Sequence, residues 1–115
     1  MNTITHNING NKIIEITSNE LLIKTGQDFI ELVYQFDTDI IFFKKENFIE
    51  EFFDLSTKIA GDILQKASNY KVTMAIIGNF SIYKSKSLED FIRESNKRKQ
   101  VIFAKDLQEA LKIMF

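Results

Sequence analysis

Three side chains able to carry or hold a phosphate stand close together in the stretch Phe52-Phe53-Asp54-Leu55-Ser56-Thr57. Serine and threonine hydroxyls accept phosphate, and a helix start beside them offers the added charge unpaired N–H groups and the positive end of the helix dipole. Asp54, Ser56 and Thr57 serve equally well as helix caps, because such side chains accept the first free N–H groups of a helix. Both roles are open from the residue types alone. With Gly61 they form the expected phosphorylation or partner surface, which runs from Phe53 to Gly61. A second set, Ser81, Tyr83, Lys84, Ser85, Lys86 and Ser87, lies in a polar stretch after an apolar run, with Arg93 and Asn96 on the helical segment that follows. Hydroxyls mixed with cations suit a small anion, and open α/β sheets place ligands at the carboxyl ends of their strands. An ordinary solvated loop has the same composition.

Other chemistries lack their residues. No glycine-rich phosphate cradle of the GxGxxG or GxxxxGK type occurs. There is no cysteine, hence no disulfide, thiolate nucleophile or thiolate metal site, and His6 is the single histidine. Glu46, Glu50, Glu51 and Asp54 recur at helical spacing, as carboxylates do on a solvated helix face. The expectation is therefore no catalytic residue, no metal and no cofactor.

The elements that must position these residues are read from periodicity. Ile4 to Thr17 predicts a hairpin turning at Asn9-Gly10. Thr25 with Asp28 caps a helix carrying Phe29, Leu32, Val33 and Phe36 on one face, and Ile40 to Phe43 is a strand covered on both faces. From Asn47 the pattern is helical: Phe48, Phe52, Leu55, Ile59 and Ile63 share a stripe, in one bent helix or two pieces with Asp54 or Ser56 as an internal cap. Val72 to Ile77 is the next strand, Ser87 with Asp90 caps the next helix, and Val101 to Ala104 is the last strand. Asp106 with Glu109 then caps a closing helix. The order β-β-α-β-α-β-α-β-α predicts a single α/β domain over residues 1–115, a mixed and mostly parallel sheet flanked by helices.

With 44% hydrophobic and 27% charged residues the 115-residue chain has the composition of one folded domain. Fifteen basic and sixteen acidic residues leave a net charge of -1, too little to gather nucleic acid or an anionic membrane. The first residues lack the pattern of a secretory signal, and no apolar run reaches the length that spans a bilayer. A soluble, cytoplasmic protein is expected. Eleven phenylalanines are many for this length, and the band of Phe48, Phe52 and Phe53 is wide enough to fill a core or to leave a homodimer face.

The segments FFDLSTKIAGDILQKASNYKVTMAIIGNFSIY and SKSLEDFIRESNKRKQVIF closely resemble a bacterial family of domains of unknown function, numbered 4180, over nearly the whole chain. That resemblance implies no activity. More distantly, the element order and the tail VIFAKDLQEALKIM resemble the STAS fold of sulfate transporters and anti-sigma-factor antagonists. In those antagonists a strand runs into a D-S-S-G stretch at a helix start, and phosphorylation of the serine switches partner binding. Asp54-Leu55-Ser56-Thr57 stands at the corresponding place, followed by Lys58 and Ile59 instead of glycine, with Asn47 to Phe53 intervening after the strand. Ser56 and Thr57 are equal candidates. The resemblance implies a non-enzymatic interaction or regulatory module with a protein partner, controlled by phosphorylation. The alternative from the residues is a small anionic ligand binder or enzyme using the loop 79–87 with Arg93 and Asn96.

Overall fold

Asn9 and Gly10 both take positive φ, 52° and 79°, the backbone that a type I′ turn demands and that asparagine and glycine tolerate best. In the computed structural model, which describes residues 1–115, this turn joins β1 (Thr3–Ile8) to β2 (Asn11–Ile16) as an antiparallel hairpin. Helices and strands then alternate: α1 (Gly26–Val33), β3 (Ile40–Lys44), α2 (Ile59–Asn69), β4 (Thr73–Ile77), α3 (Lys86–Arg98), β5 (Val101–Ala104) and α4 (Leu107–Met114). Strands β2 to β5 are parallel, and the spatial order is the chain order, β1-β2-β3-β4-β5. The α/β class with a mixed, mostly parallel sheet is therefore the fold that forms.

Successive right-handed crossovers moving one strand at a time leave their helices on one face of the sheet. The pleat shows this. Ile41, Phe43, Met74, Ile76, Val101 and Phe103 pack with Phe29 and Leu32 of α1, Ile63 of α2 and Leu88 of α3. Their alternate neighbours Phe42, Ala75, Ile102 and Ala104 pack on the other face with Ala110 of α4. Burial on both faces is why these strands read as continuous apolar runs. Thr25 and Asp106 cap α1 and α4 as expected, accepting from the Asp28 and Glu109 N–H groups at 3.1 and 2.8 Å. Helix α3 starts earlier than its sequence pattern suggests: Ser85, not Ser87, is its cap, accepting from the Leu88 N–H at 3.1 Å.

The largest departure lies between β3 and α2. The helical stripe from Phe48 to Leu55 forms no α-helix; the chain makes three 3₁₀ turns, Lys45–Asn47, Glu50–Phe53 and Leu55–Thr57, and α2 begins only at Ile59, after Lys58 in the left-handed region. Backbone groups that a helix would need are taken by another segment. Phe48 forms a strand-like bridge with Ile23, and the Ile49 N–H donates to the Ile23 carbonyl at 2.9 Å. Phe48, Phe52 and Phe53 are all buried and touch in series, Phe48 tilted against Phe52 at a centroid distance of 4.8 Å and Phe52 edge-on to Phe53 at 4.9 Å. They fill the core, which removes the Phe-rich segment as a homodimer face.

Two asparagines hold chain segments that lack a regular partner. The fully buried Asn47 accepts from the Lys44 N–H at 2.7 Å and donates to the Ser18 and Glu20 carbonyls at 3.1 and 2.9 Å. Its carbonyl accepts from the Leu22 and Ile23 N–H groups at 2.9 and 2.8 Å. On α3, Asn96 accepts from the Phe103 N–H at 2.8 Å and donates to the Phe103 carbonyl at 3.1 Å, while the Ser95 hydroxyl donates to the Val101 carbonyl.

Asn47→Ala removes three buried hydrogen bonds and leaves their backbone partners unpaired. Chemical denaturation is expected to show a loss of about 3 kcal/mol, at roughly 1 kcal/mol per bond. Asn96→Ala unpairs both polar groups of Phe103 and is expected to lose about 2 kcal/mol on the same scale. Retention of wild-type stability by either variant contradicts these roles.

Candidate functional site

Because β2 to β5 run the same way, their carboxyl ends open onto one side of the sheet, and the residues leaving β3 and β4 meet there. Lys45 follows β3 and Gly78 follows β4, on strands paired Lys44 to Ile77. A Cβ added at Gly78 stands 2.6 Å from the Lys45 Cβ, so only glycine lets the lysine cross this point. The Lys45 side chain, 13% exposed, then runs under two aromatic rings. Its ammonium lies 5.3 Å from the centroid of Phe53 and 5.2 Å from that of Tyr83. Those two rings stack on each other at 5.2 Å with 16° between their planes.

Glu50 completes the cluster, accepting from the Tyr83 hydroxyl at 2.7 Å and pairing with the Lys45 ammonium at 3.5 Å. Burial acts most strongly on Lys45 and works to lower its pKa, but the Tyr83 and Glu50 oxygens more than offset it and the net shift is upward. Tyr83 is also raised, first by burial and further by its bond to Glu50. Both groups keep their protons at neutral pH. A protonated lysine is a poor nucleophile and a good electrostatic anchor, so the cluster clamps the loop after β4 onto the segment after β3.

That clamp brings the two sequence-predicted sets to one end of the molecule. Phe53 leads directly into Asp54, whose carboxylate accepts from the Ser56 N–H at 3.0 Å and the Ser56 hydroxyl at 2.7 Å. The Ser56 hydroxyl first, then the N–H, holds the Asp54 carboxyl below its usual range. The Thr57 hydroxyl lies 2.8 Å from both the Glu51 and the Asp54 carbonyls. Asp54, Ser56, Thr57 and Gly61 are all exposed. The three polar residues belong to the 3₁₀ turn ahead of α2, not to the start of a long helix.

On the other side of Tyr83, an open cleft of about 500 Å³ is lined by Ser81, Tyr83, Lys84, Ser85 and Lys86 over Phe80, Leu88 and Ile92, with Glu89 at its edge. The Ser81 hydroxyl donates to Asn79 at 2.6 Å, and Lys86 pairs with Asp90 at 2.8 Å. Ser87 is exposed on the first turn of α3. Arg93 lies outside the lining, paired with Asp90 at 3.0 Å and Glu89 at 3.5 Å, and Asn96 is committed to the Phe103 backbone. Lys86 first, then Arg93, lowers the Asp90 pKa.

Lys45 and Glu50 escaped the sequence reading as site residues. Their signal was positional: the first residues beyond a continuous apolar strand stand where parallel sheets assemble their ligand sites. His6, paired with Glu15 at 2.8 Å, sits on the hairpin away from this end. No group of three or more His, Cys, Asp or Glu side chains converges to hold a metal ion, and no helix is long and apolar enough to cross a membrane.

Comparison with curated proteins and with solved structures finds no match. A family model described as a domain of unknown function, DUF4180, matches residues 8–114. The match takes in every helix, β2 to β5 and the whole carboxyl-end cluster, and on that extent the chain belongs to the DUF4180 family.

Proposed function

We propose that this chain is a regulatory protein-interaction module in the manner of STAS partner switches. Its partner surface runs from Phe53 to Gly61, and phosphorylation there controls it. The observation that carries this reading is the corner itself: two exposed hydroxyls on a turn anchored to the core through the buried Phe52 and Phe53. A partner meets a fixed shape at such a corner and loses little entropy in ordering it. Gly61 on the first turn of α2 adds open space, with nothing within 4 Å of a Cβ built on it.

The two hydroxyls differ in what a phosphate encounters. At Ser56 it stands against the Asp54 carboxylate and breaks the 2.7 Å hydroxyl bond, so the turn loosens by like-charge repulsion. Thr57 instead borders a shallow cleft of about 300 Å³ that also contains Lys24 and Lys58, with one carboxylate, Asp62, which is paired with Lys66 at 2.8 Å. A phosphate there gives up the hydroxyl's contacts with the Glu51 and Asp54 carbonyls and gains the two lysines, which draws the loop before α1 toward the corner. Thr57 is the better phosphoacceptor for an ordering switch and Ser56 for a loosening one.

A second reading has one specific observation in its favour, the cleft lined by Ser81, Tyr83, Lys84, Ser85 and Lys86. It takes a small anion with an apolar body, the charge meeting Lys84 and the serine hydroxyls and the body resting on Phe80, Leu88 and Ile92. Arg93 and Asn96 contribute only by leaving their present partners.

Mass spectrometry of the protein from its native host is expected to find phosphate at Thr57 or Ser56, and Thr57→Glu to change partner affinity about tenfold. Absence of phosphate under growth and stress, with capture of every partner unchanged by Ser56→Asp and Thr57→Glu, rejects the switch. For the second reading, a sugar phosphate or nucleotide at a hundred times its Kd is expected to stabilise the fold by about 2.7 kcal/mol, a melting shift on the order of 10 °C. Lys84→Glu abolishes that shift. A flat thermal screen over phosphates and acidic metabolites at millimolar concentration rejects the ligand.

A further inference from the structure

The two edges of the sheet are treated differently. On β5 the Gln100 and Ala104 carbonyls accept from the Met74 and Gly78 N–H groups at 2.8 and 2.9 Å, so the even-numbered residues face β4 and the odd-numbered ones face outward. Three of those outward groups are held by side chains: Ser95 binds the Val101 carbonyl, and Asn96 binds both polar groups of Phe103. One asparagine side chain stands in for the next strand.

On β1 nothing does this. The turn pairs Ile8 with Asn11, and the Thr17 N–H donates to the Asn2 carbonyl at 2.9 Å, which sets the phase of the hairpin ladder. Even-numbered residues spend their backbone groups on β2, and Thr3, Thr5 and Asn7 present theirs outward. No side chain of the chain reaches them. Edge strands are ordinarily blunted by lysine, proline, a bulge or a covering loop, yet β1 reads Thr-Ile-Thr-His-Asn-Ile, has unbroken register with β2, and leaves Ile4 50% exposed.

We propose that β1 is an assembly edge through which two copies of this chain join, β1 against β1 in antiparallel sense, so that two five-stranded sheets become one. The occupant follows from the edge itself. Antiparallel pairing about Thr5 is its own two-fold complement: Thr5 faces Thr5, Thr3 faces Asn7 and Ile4 faces His6. No carboxylate, lysine or arginine stands opposite another, and a net charge of -1 adds no long-range repulsion between copies. Each Ile4 gains an imidazole face in place of water. The surface is separate from the Phe53 to Gly61 corner, so the proposal stands or falls independently of the function above.

Sedimentation equilibrium on the full chain tests it, with amide hydrogen exchange read at low and high protein concentration. The wild type is expected to be a dimer at tens of micromolar, with the Thr3, Thr5 and Asn7 amides protected only where the dimer is populated. Thr5→Pro deletes an outward N–H and spares the β1–β2 ladder, and is expected to weaken association at least a hundredfold while leaving the far-ultraviolet dichroism unchanged. Thr5→Lys keeps the N–H, sets two ammoniums opposite each other across the two-fold, and covers the case in which the proline variant misfolds. A wild type that remains monomeric at millimolar concentration overturns the proposal. So does a dimer that survives Thr5→Lys, or one in which those three amides exchange freely.

Discussion

The carboxyl end of the sheet is organised by one buried amide. Asn47 binds the last N–H of β3, two carbonyls of the chain leaving β2 and, through its own backbone, the Leu22 and Ile23 N–H groups. Ser18 and Glu20 are 29 and 27 residues away in sequence, and the Ile23–Phe48 bridge continues the same contact. A buried amide is tolerated only when its donors and acceptors are paired, and this one uses both ends. Its position dictates where Phe48 enters the core, and so where the following 3₁₀ turns carry Glu50, Phe53 and the Asp54 to Thr57 corner.

The electrostatics of that end follow from the same placement. Beside the turn that Asn47 fixes, Lys45 crosses Gly78 and runs under Phe53 and Tyr83. A lysine taken that far from water survives as an ammonium only with compensation, and Glu50, the Tyr83 oxygen and two ring faces provide it. The loop after β4 is therefore tied to the segment after β3 by a charged and aromatic contact. The polar corner and the cleft beside α3 are two flanks of one clamp.

Much of this architecture was legible from local signals. Asn9-Gly10 marks the hairpin, Thr25 and Asp106 mark two helix starts, and the continuous apolar runs mark strands buried on both faces, because each depends on residues within one turn or one strand. The segment from Asn47 to Thr57 was illegible for the opposite reason. Phe48, Phe52 and Leu55 have helical spacing, but the backbone there is claimed by Ile23, and tertiary pairing overrides periodicity. Ser85 and Ser87 both precede Leu88 in the same polar run, and the choice between them rests on which hydroxyl meets its N–H. For the site, the loop residues were readable by type, whereas the partners that occupy Arg93 and Asn96 were not. Lys45 and Glu50 acquire their character only from Tyr83, more than thirty residues on.

A sheet whose spatial order equals its chain order has a consequence for how it is built. Each strand docks on the one completed just before it, so closure at every step spans only a single crossover and its entropic cost stays small. The growing sheet has one advancing margin, which is the vulnerable one while the protein is being made. Ser95 and Asn96 emerge six and seven residues ahead of the groups they bind on the last strand, so that margin is closed by side chains already in place when it forms. The opposite margin, on β1, is laid down before this one and carries no such side-chain cap.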